Sequence, residues 1–461
     1  MYKSFLFVLA VNMSAIVLAQ KDSIADLDTD INFISSKISA VYAGFSDKNK
    51  LNEFEKIVQE IKTSSEKDYF ARLSKLVLNF NDQHLALYQT KKNKDIDSAV
   101  SKKNYELISK SGHKSKKYQH EGFWVNDLKN TIIYLRFSGN DKYEGYIVES
   151  KNSNLLGYCI IKMQSEINGK RVTDYINVKN EYRVFFKSYF KNTETLVSGS
   201  YNKWYKIKNY QKGLLEKMLP FNDSPAIVQL DSNNVLIKMH DFSSKGITKK
   251  YDSLIKANDK IIAGCKNLII DIRYNAGGSI RNFIPLLPYI CTQPIVRVGY
   301  YKLNSEDLIN DVIEDRKLYA QQNDTDKVKI LDIAINKMRE NKNQLIYNVA
   351  DTLPCTPVNS KIKNVALIAN YGSRSAAELM ILHLRQIKKV TTFGENTAGA
   401  VDYLDILRYN LPVSNFILWV ATTKREITTK EPMYDATGIQ PDIKIGSKTS
   451  DWINFVKKYY E

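Results

Sequence analysis

Residues 365–378 read VALIANYGSRSAAE, and this stretch indicates how the second half of the chain folds. An apolar run of strand length, Val365 to Ala369, leads through a short turn into a helix-forming run that begins at Ala376. Ser375, at the junction, would lie beside the free N–H groups and the positive dipole end of that helix. This placement suits an activated nucleophile, but a serine before a helix more often only caps it.

A second apolar strand also ends in residues that could serve a reaction. Residues 268–278 read LIIDIRYNAGG, so the strand runs into the double glycine Gly277 and Gly278. Glycines let backbone N–H groups turn outward, because no Cβ blocks them. Outward N–H groups can hold a phosphate or an oxyanion, although a tight turn explains glycines equally well. The combination with Ser375 favours a catalytic site.

The pattern of elements predicts several modules. Strands that alternate with helices over 226–446 predict an α/β core, with a charged helical insertion at about 304–345. Upstream, we expect a helical module at 20–90 and a Lys/Ser-rich linker at 91–119. Short alternating segments with turn signals over 120–210 then predict an antiparallel β module, either a barrel or a sandwich. Residues 447–461 are expected to form a C-terminal helix.

The beginning of the chain predicts its compartment. Residues 1–19 have a short basic start, an apolar run and a small-residue end, which is typical of a cleavable signal peptide. An uncleaved anchor is the alternative. We expect a secreted or periplasmic protein with no transmembrane segment after the signal is removed. The chain is 43% hydrophobic and 25% charged, which excludes a mostly disordered chain and a polytopic membrane protein.

Charge and cysteine content narrow the function classes further. The net charge of +17 is compatible with binding of polyanions, but the lysines are dispersed, so no specific nucleic acid is expected. The four cysteines form no CxxC or His–Cys cluster, so no metal or cofactor is expected. An even number permits disulfides, and no pairing is assigned. Cys159 and Cys265 lie in apolar, strand-like runs, where buried free thiols fit at least as well.

Four motifs in order carry a resemblance to a known family. They are Asp-x-Arg-x-Asn-x-Gly-Gly at 271–278, Ser-x-Ser-Ala-x-Glu at 373–378, Gly-Glu-x-Thr-x-Gly at 394–399 and Gly-Ile-x-Pro-Asp at 438–442. The chain resembles the tail-specific, or C-terminal processing, proteases of peptidase family S41. This resemblance implies a ClpP/crotonase-like core over 226–446. A PDZ-like segment is not evident, and the β module at 120–210 stands in its place, either to present substrate or as a spacer.

The resemblance also implies roles for individual residues. The nucleophile would be Ser375, and the oxyanion hole would use the amide of Ala376 with a glycine of the Gly277–Gly278 pair. The processing proteases use a lysine just after the Gly-Glu-x-Thr-x-Gly motif. Here that residue is Ala400, so a Ser–Lys dyad is not expected.

The tricorn-like branch of the family implies a different base. It uses an upstream histidine, and His84 fits because Asp82-Gln83-His84 matches the Asp-x-His segment of many relatives. The acid that orients it would be Asp435, where much of the family has glutamate. His240 is the reserve candidate for the base and Glu431 for the acid.

Together these observations predict a serine endopeptidase that acts on a protein or peptide through an acyl-enzyme on Ser375. The alternative is a catalytically inactive S41-fold protein that binds a peptide or a small apolar ligand. The missing lysine, the shorter acid at Asp435 and the β module in place of a PDZ-like segment lend some weight to that alternative.

Overall fold

The computed structural model describes residues 24–45, 48–64, 66–80, 82–92, 96–111, 118–167, 170–199, 202–348, 352–353, 355–429, 432–435, 437–446 and 449–461. The predicted signal peptide at 1–19 and Glu431 lie outside these ranges. Within them, no helix is long and apolar enough to cross a membrane.

Helices and strands alternate in the second half of the chain, whereas strands dominate the middle. The α-helices are α1 (Ile24–Val41), α2 (Lys48–Thr63), α3 (Tyr69–Leu78), α4 (Ser98–Ser111), α5 (Ile247–Ala257), α6 (Asp259–Gly264), α7 (Leu287–Ile290), α8 (Glu306–Gln321), α9 (Thr325–Glu340), α10 (Ala376–Leu384) and α11 (Trp452–Tyr459). The strands are β1 (Ala86–Thr90), β2 (Gly122–Asn126), β3 (Thr131–Gly139), β4 (Lys142–Ser150), β5 (Cys159–Ile167), β6 (Lys170–Asn177), β7 (Tyr182–Asn192), β8 (Thr195–Ser198), β9 (Asn202–Lys206), β10 (Ala226–Gln229), β11 (Asn234–Lys238), β12 (Asn267–Asp271), β13 (Ile295–Val296), β14 (Tyr300–Leu303), β15 (Leu345–Asn348), β16 (Thr352–Leu353), β17 (Asn364–Ala369), β18 (Val390–Gly394), β19 (Tyr403–Asn410), β20 (Ile417–Arg425) and β21 (Ile443–Lys444).

A six-stranded sheet forms the predicted α/β core, in the order β10-β11-β12-β17-β18-β21. From β11 to β21 the strands are parallel, and β10 is antiparallel at one edge. The apolar strands are buried on both faces: one face packs against α5 and α10, the other against α11. Because parallel strands point the same way, the turns after β12 and β17 meet at one edge of the sheet.

The N-terminal helices pack on a second, larger sheet. Side chains of α1 and α3, such as Ile34 and Phe70, share a buried cluster with Leu418 of β20. The chain then enters β1, which pairs with both β20 and β7. The structure differs here from the expected helical module, because residues 86–90 form a strand. This strand fixes the preceding loop, which carries His84, to the larger sheet.

The β module is a barrel rather than a sandwich. Strands β2 to β9 pair antiparallel in sequence, β9 returns to β2, and β7 pairs with both β6 and β8. Large side chains fill the interior, among them Trp124, Leu135, Ile161 and Trp204. The first residues of β7 also pair with β1, so the barrel shares a continuous sheet with β20.

Two other segments add local structure. The expected linker at 91–119 contains α4, whose Ile108 packs against the barrel. Most of the described α4 side chains are exposed or half-buried, which explains its weak apolar periodicity. The predicted insertion forms the helix pair α8 and α9. Cys291 and Cys355 form a disulfide that encloses this insertion, and Cys159 and Cys265 are free thiols.

Candidate functional site

Ser375 occupies a sharp turn between β17 and α10. Its backbone has φ 54° and ψ −120°, a conformation that non-glycine residues rarely adopt. Strain of this kind is found where a nucleophile is presented at a strand-to-helix turn. The side chain therefore stands at the N-terminus of α10, as the sequence predicts.

The glycine strand lies directly against this turn. Arg374 N donates to the carbonyl oxygen of Asn275 at 2.9 Å, which joins the two motifs. A Cβ added to Gly277 would lie only 2.6 Å from Ser375 Cβ. A glycine is required at this position because the two backbones approach so closely and because its φ is +87°.

The candidate oxyanion donors differ in their availability. Gly277 N donates to Asn275 Oδ1 at 2.9 Å, so this N–H is already engaged. None of the hydrogen bonds within the described residues uses the N–H of Gly278 or of Ala376. Of the predicted glycine pair, Gly278 therefore has the open donor, and Ala376 supplies another from the first turn of α10.

Glu378 is a buried carboxylate that connects the serine turn to the loop after β18. Its Oε2 accepts from Ser375 N at 3.0 Å and from Ala400 N at 2.7 Å. Its Oε1 accepts from Thr397 Oγ1 at 2.5 Å and from Gly399 N at 2.7 Å. Burial raises the pKa of Glu378, and these hydrogen bonds oppose the rise. Ala400, at the family's lysine position, thus contributes its backbone to the site.

His84 approaches from the loop between α3 and β1. Gln83 Nε2 donates to the carbonyl oxygen of Ala398 at 2.8 Å, and Ala398 N donates to that of Ser373 at 2.9 Å. These bonds bring the His84 loop to the serine turn. Burial and the nearby Arg374 guanidinium lower the pKa of His84 to about 4, and a hydrogen bond to the backbone of Tyr403 acts in the opposite direction.

Asp435 lies in a group of acidic side chains. Asp402 N donates to Asp435 Oδ1 at 3.1 Å, and Asp435 N donates to Asp402 Oδ2 at 2.7 Å. Burial, followed by the charges of Asp82 and Asp402, raises the pKa of Asp435 well above its usual range. Asp435 Oδ2 and His84 Nδ1 are both buried, and neither has a hydrogen-bond partner among the described residues. The structure thus brings His84 near the serine turn but forms no His84–Asp435 hydrogen bond.

Sequence reasoning missed Asp402. This buried carboxylate accepts from Arg425 Nε at 3.0 Å and from Arg425 Nη2 at 2.5 Å, and it receives the backbone N–H of Tyr434 and of Asp435. It therefore fixes the turn that carries Asp435. No motif contains it, and an aspartate in an apolar stretch, Ala400-Val401-Asp402-Tyr403, is the signal that could have identified it.

The reserve base, His240, belongs to another part of the core. Its Nδ1 lies 2.8 Å from the carbonyl oxygen of Arg273, and its Nε2 lies 3.8 Å from Asp271 Oδ2. His240 does not line the cleft that contains Ser375. The structure therefore does not bring it together with the candidate nucleophile.

The site opens into a cleft of about 1580 Å³. Ser375, Gly277, Gly278, Ala376 and His84 all line it, whereas Asp435 does not. Its opposite wall belongs to the barrel. Within the described residues, no group of His, Cys, Asp and Glu side chains could hold a metal ion.

The chain is similar to known proteases. The model of peptidase family S41 matches residues 234–445. The structure of mature CPAF complexed with lactacystin aligns over 91% of this chain and 94% of that chain, with 10% identity and a TM-score of 0.49. The photosystem II D1 C-terminal processing protease aligns over 91% and 93%, with 11% identity and a TM-score of 0.39. The tricorn protease aligns over 91% and 34%, with 10% identity and a TM-score of 0.38. No curated protein matches the chain. Residues 234–445 of the chain are therefore similar to peptidase family S41.

Proposed function

We propose that this protein is a serine endopeptidase that hydrolyses peptide bonds through an acyl-enzyme on Ser375. The observation that carries the proposal is the strained turn at Ser375, with the open N–H groups of Gly278 and Ala376 on the same cleft. A nucleophile beside two backbone donors is what acyl transfer requires.

In the proposed reaction, Ser375 Oγ attacks the carbonyl carbon of the scissile bond, and its proton passes to His84. The oxyanion that forms accepts hydrogen bonds from Gly278 N and Ala376 N. The C–N bond then breaks, and His84 returns the proton to the leaving amine. Water enters, gives a proton to His84 and attacks the ester. Ser375 leaves with that proton, and the second product is a carboxylic acid.

The protonation state of the His84 imidazole supports this role. Because its pKa is about 4, the imidazole is neutral at pH 7 and can accept a proton. The imidazolium that forms needs a nearby carboxylate, and its positive charge would favour the ionised form of Asp435, whose raised pKa comes from burial and neighbouring acids. Among the described residues, the buried Asp435 Oδ2 has no hydrogen-bond partner. We propose that substrate binding brings His84 Nδ1 to this oxygen, since pairing them satisfies two buried polar atoms.

We also propose that the protein is secreted or periplasmic. The signal-like residues 1–19 support this compartment, and so does the disulfide between Cys291 and Cys355, since structural disulfides persist in oxidising environments.

Labelling with a fluorophosphonate probe tests the proposed mechanism. We expect the folded wild type to be labelled, Ser375→Ala to lose labelling and His84→Ala to lose most of it. The matched control is His120→Ala, because His120 stacks on Phe190 in the barrel and lies outside the cleft. Labelling that persists in Ser375→Ala would contradict the proposal. A folded wild type that is not labelled would favour the inactive binding protein.

A further inference from the structure

The cleft continues beyond Ser375 to the mouth of the barrel. Four residues of the barrel's buried interior line its far wall: Leu155, Ile160, Tyr175 and Trp204. A peptide bound across Ser375 would therefore meet the barrel along the same cleft. An endopeptidase needs such distal contacts, because binding energy far from the scissile bond is used to position it.

Trp204, which lines this wall, has a buried hydrogen-bond donor that is unpaired within the described residues. Its side chain is 1% exposed, and its indole Nε1–H has no acceptor among the described residues. A neighbouring polar group is already paired, since Asn202 Nδ2 donates to Tyr175 Oη at 2.9 Å. Buried donors without acceptors are rare in folded proteins, so this one indicates a ligand that carries an acceptor.

The charged side chains of the cleft are mostly basic. Its basic residues are Lys151, Lys179, Arg297, Arg374, Arg408 and Arg425, and its acidic residues are Glu181 and Asp405. Arg425 is neutralised by Asp402, and Lys179 lies 3.7 Å from Asp223, but a basic excess remains without these two residues. The Arg408 guanidinium lies 4.7 Å from the centre of the Trp419 ring, which holds a positive charge at the cleft wall. A cleft with one dominant sign of charge attracts ligands of the opposite sign.

We propose that the barrel mouth is a distal substrate subsite for an extended, acidic peptide segment. A peptide carbonyl accepts the Trp204 indole N–H, and acidic side chains lie near Arg408 and Lys151. The inference rests on the proposed function, because the segment belongs to the peptide that Ser375 cleaves. A small apolar ligand fits less well, because it would make no use of the positive charges of Arg408 and Lys151.

Binding of defined peptides to the Ser375→Ala protein tests the subsite without turnover. The probes are two fluorescent peptide pools of equal length, one with glutamate and the other with lysine at the same positions. We expect the acidic pool to bind at least about tenfold more tightly at low salt, with the difference shrinking as salt is added. Arg408→Glu should remove most of this preference. Lys249→Glu, an exposed residue of α5 outside the cleft, should leave it unchanged.

A second pair of variants tests the indole donor. Trp204→Phe keeps an aromatic ring but removes the N–H, and we expect about three- to tenfold weaker binding of the acidic pool. Trp124→Phe is the matched control, because Trp124 is also buried in the barrel but already donates to the carbonyl oxygen of His120 at 3.0 Å. It should leave peptide affinity unchanged.

The outcomes separate this inference from the proposed function. Equal binding of both pools, or unchanged binding in Arg408→Glu and Trp204→Phe, would overturn the subsite even if fluorophosphonate still labels Ser375. Selective binding by a protein that the probe never labels would support the subsite and overturn the peptidase. Displacement of the acidic pool by oligothymidine with equal affinity would overturn the choice of a peptide as occupant.

Discussion

Substitution of Gly277 gives the sharpest test of the serine turn. Its φ is +87°, and a Cβ added there would lie 2.6 Å from Ser375 Cβ and 2.9 Å from the carbonyl oxygen of Arg374. Non-bonded carbon atoms favour separations of about 3.5–4.0 Å, so in Gly277→Ala one of the two backbones must move by about 1 Å. A displacement of this size at a reacting centre costs on the order of 100-fold in rate. We expect a loss of about that factor in kcat/KM.

Gly213 supplies the matched control, because its φ is +84° and an added Cβ would meet nothing within 4 Å. Both alanine variants carry a positive-φ penalty of roughly 1–2 kcal/mol, but only Gly277→Ala adds the steric overlap. We expect the free energy of unfolding in urea to fall by about 1–3 kcal/mol more in Gly277→Ala than in Gly213→Ala. Labelling rates with fluorophosphonate report the activity of both. Equal labelling rates in the two variants would refute the reasoning.

Three further predictions follow from the site and the disulfide. As the pH is lowered, kcat/KM should fall near pH 4 rather than near pH 6.5, since only the neutral imidazole of His84 accepts a proton. Burial and Arg374 lower the pKa of His84 to about 4. Arg374→Gln should raise the pKa of His84 and so shift this fall in kcat/KM to higher pH by roughly half a pH unit. An unshifted profile would contradict the assignment of His84 as the base. Glu378→Gln places an NH₂ group opposite two of the four buried donors that Glu378 now accepts from. We expect the free energy of unfolding in urea to fall by about 2–4 kcal/mol, and a wild-type value would refute this. Reduction of the disulfide between Cys291 and Cys355, which are 64 residues apart, should lower the free energy of unfolding by about 4 kcal/mol. Urea unfolding with and without reductant measures this, and an unchanged unfolding midpoint would contradict the prediction.

The sequence was sufficient to predict the α/β core that carries the candidate site. Apolar strands alternating with helices predict an α/β layer, and the structure pairs β12 with β17 in parallel within it. The structure therefore places Gly277 against Ser375. The choice between the two glycines was not predictable, because it depends on the Asn275 side chain, which takes the Gly277 N–H. Side-chain hydrogen bonds within a loop leave no periodic signal in a sequence.

The placement of His84 depends on long-range pairing. Its loop is fixed by β1, whose Leu87 lies opposite Leu418 of β20. Propensity and periodicity describe local structure, so they could not predict a pairing across more than three hundred residues. The resemblance to a family was the sequence-level basis for choosing His84. The Asp402–Arg425 pair was missed for a different reason: it joins the two ends of the β19–β20 hairpin through side chains, and no motif contains either residue.

The barrel closes over the site through residues that sequence reasoning left without a role. Lys203 of β9 forms an ion pair with Glu395 at 2.6 Å, and its ammonium lies 4.1 Å from the centre of the Tyr371 ring. Glu395 belongs to the Gly-Glu-x-Thr-x-Gly motif, and Tyr371 lies in the turn that leads to Ser375. Because β-strand side chains alternate, Lys203 faces these core residues while Trp204 packs into the barrel interior. One strand therefore joins the barrel mouth to the Ser375 turn, which supports the subsite proposed at the barrel mouth.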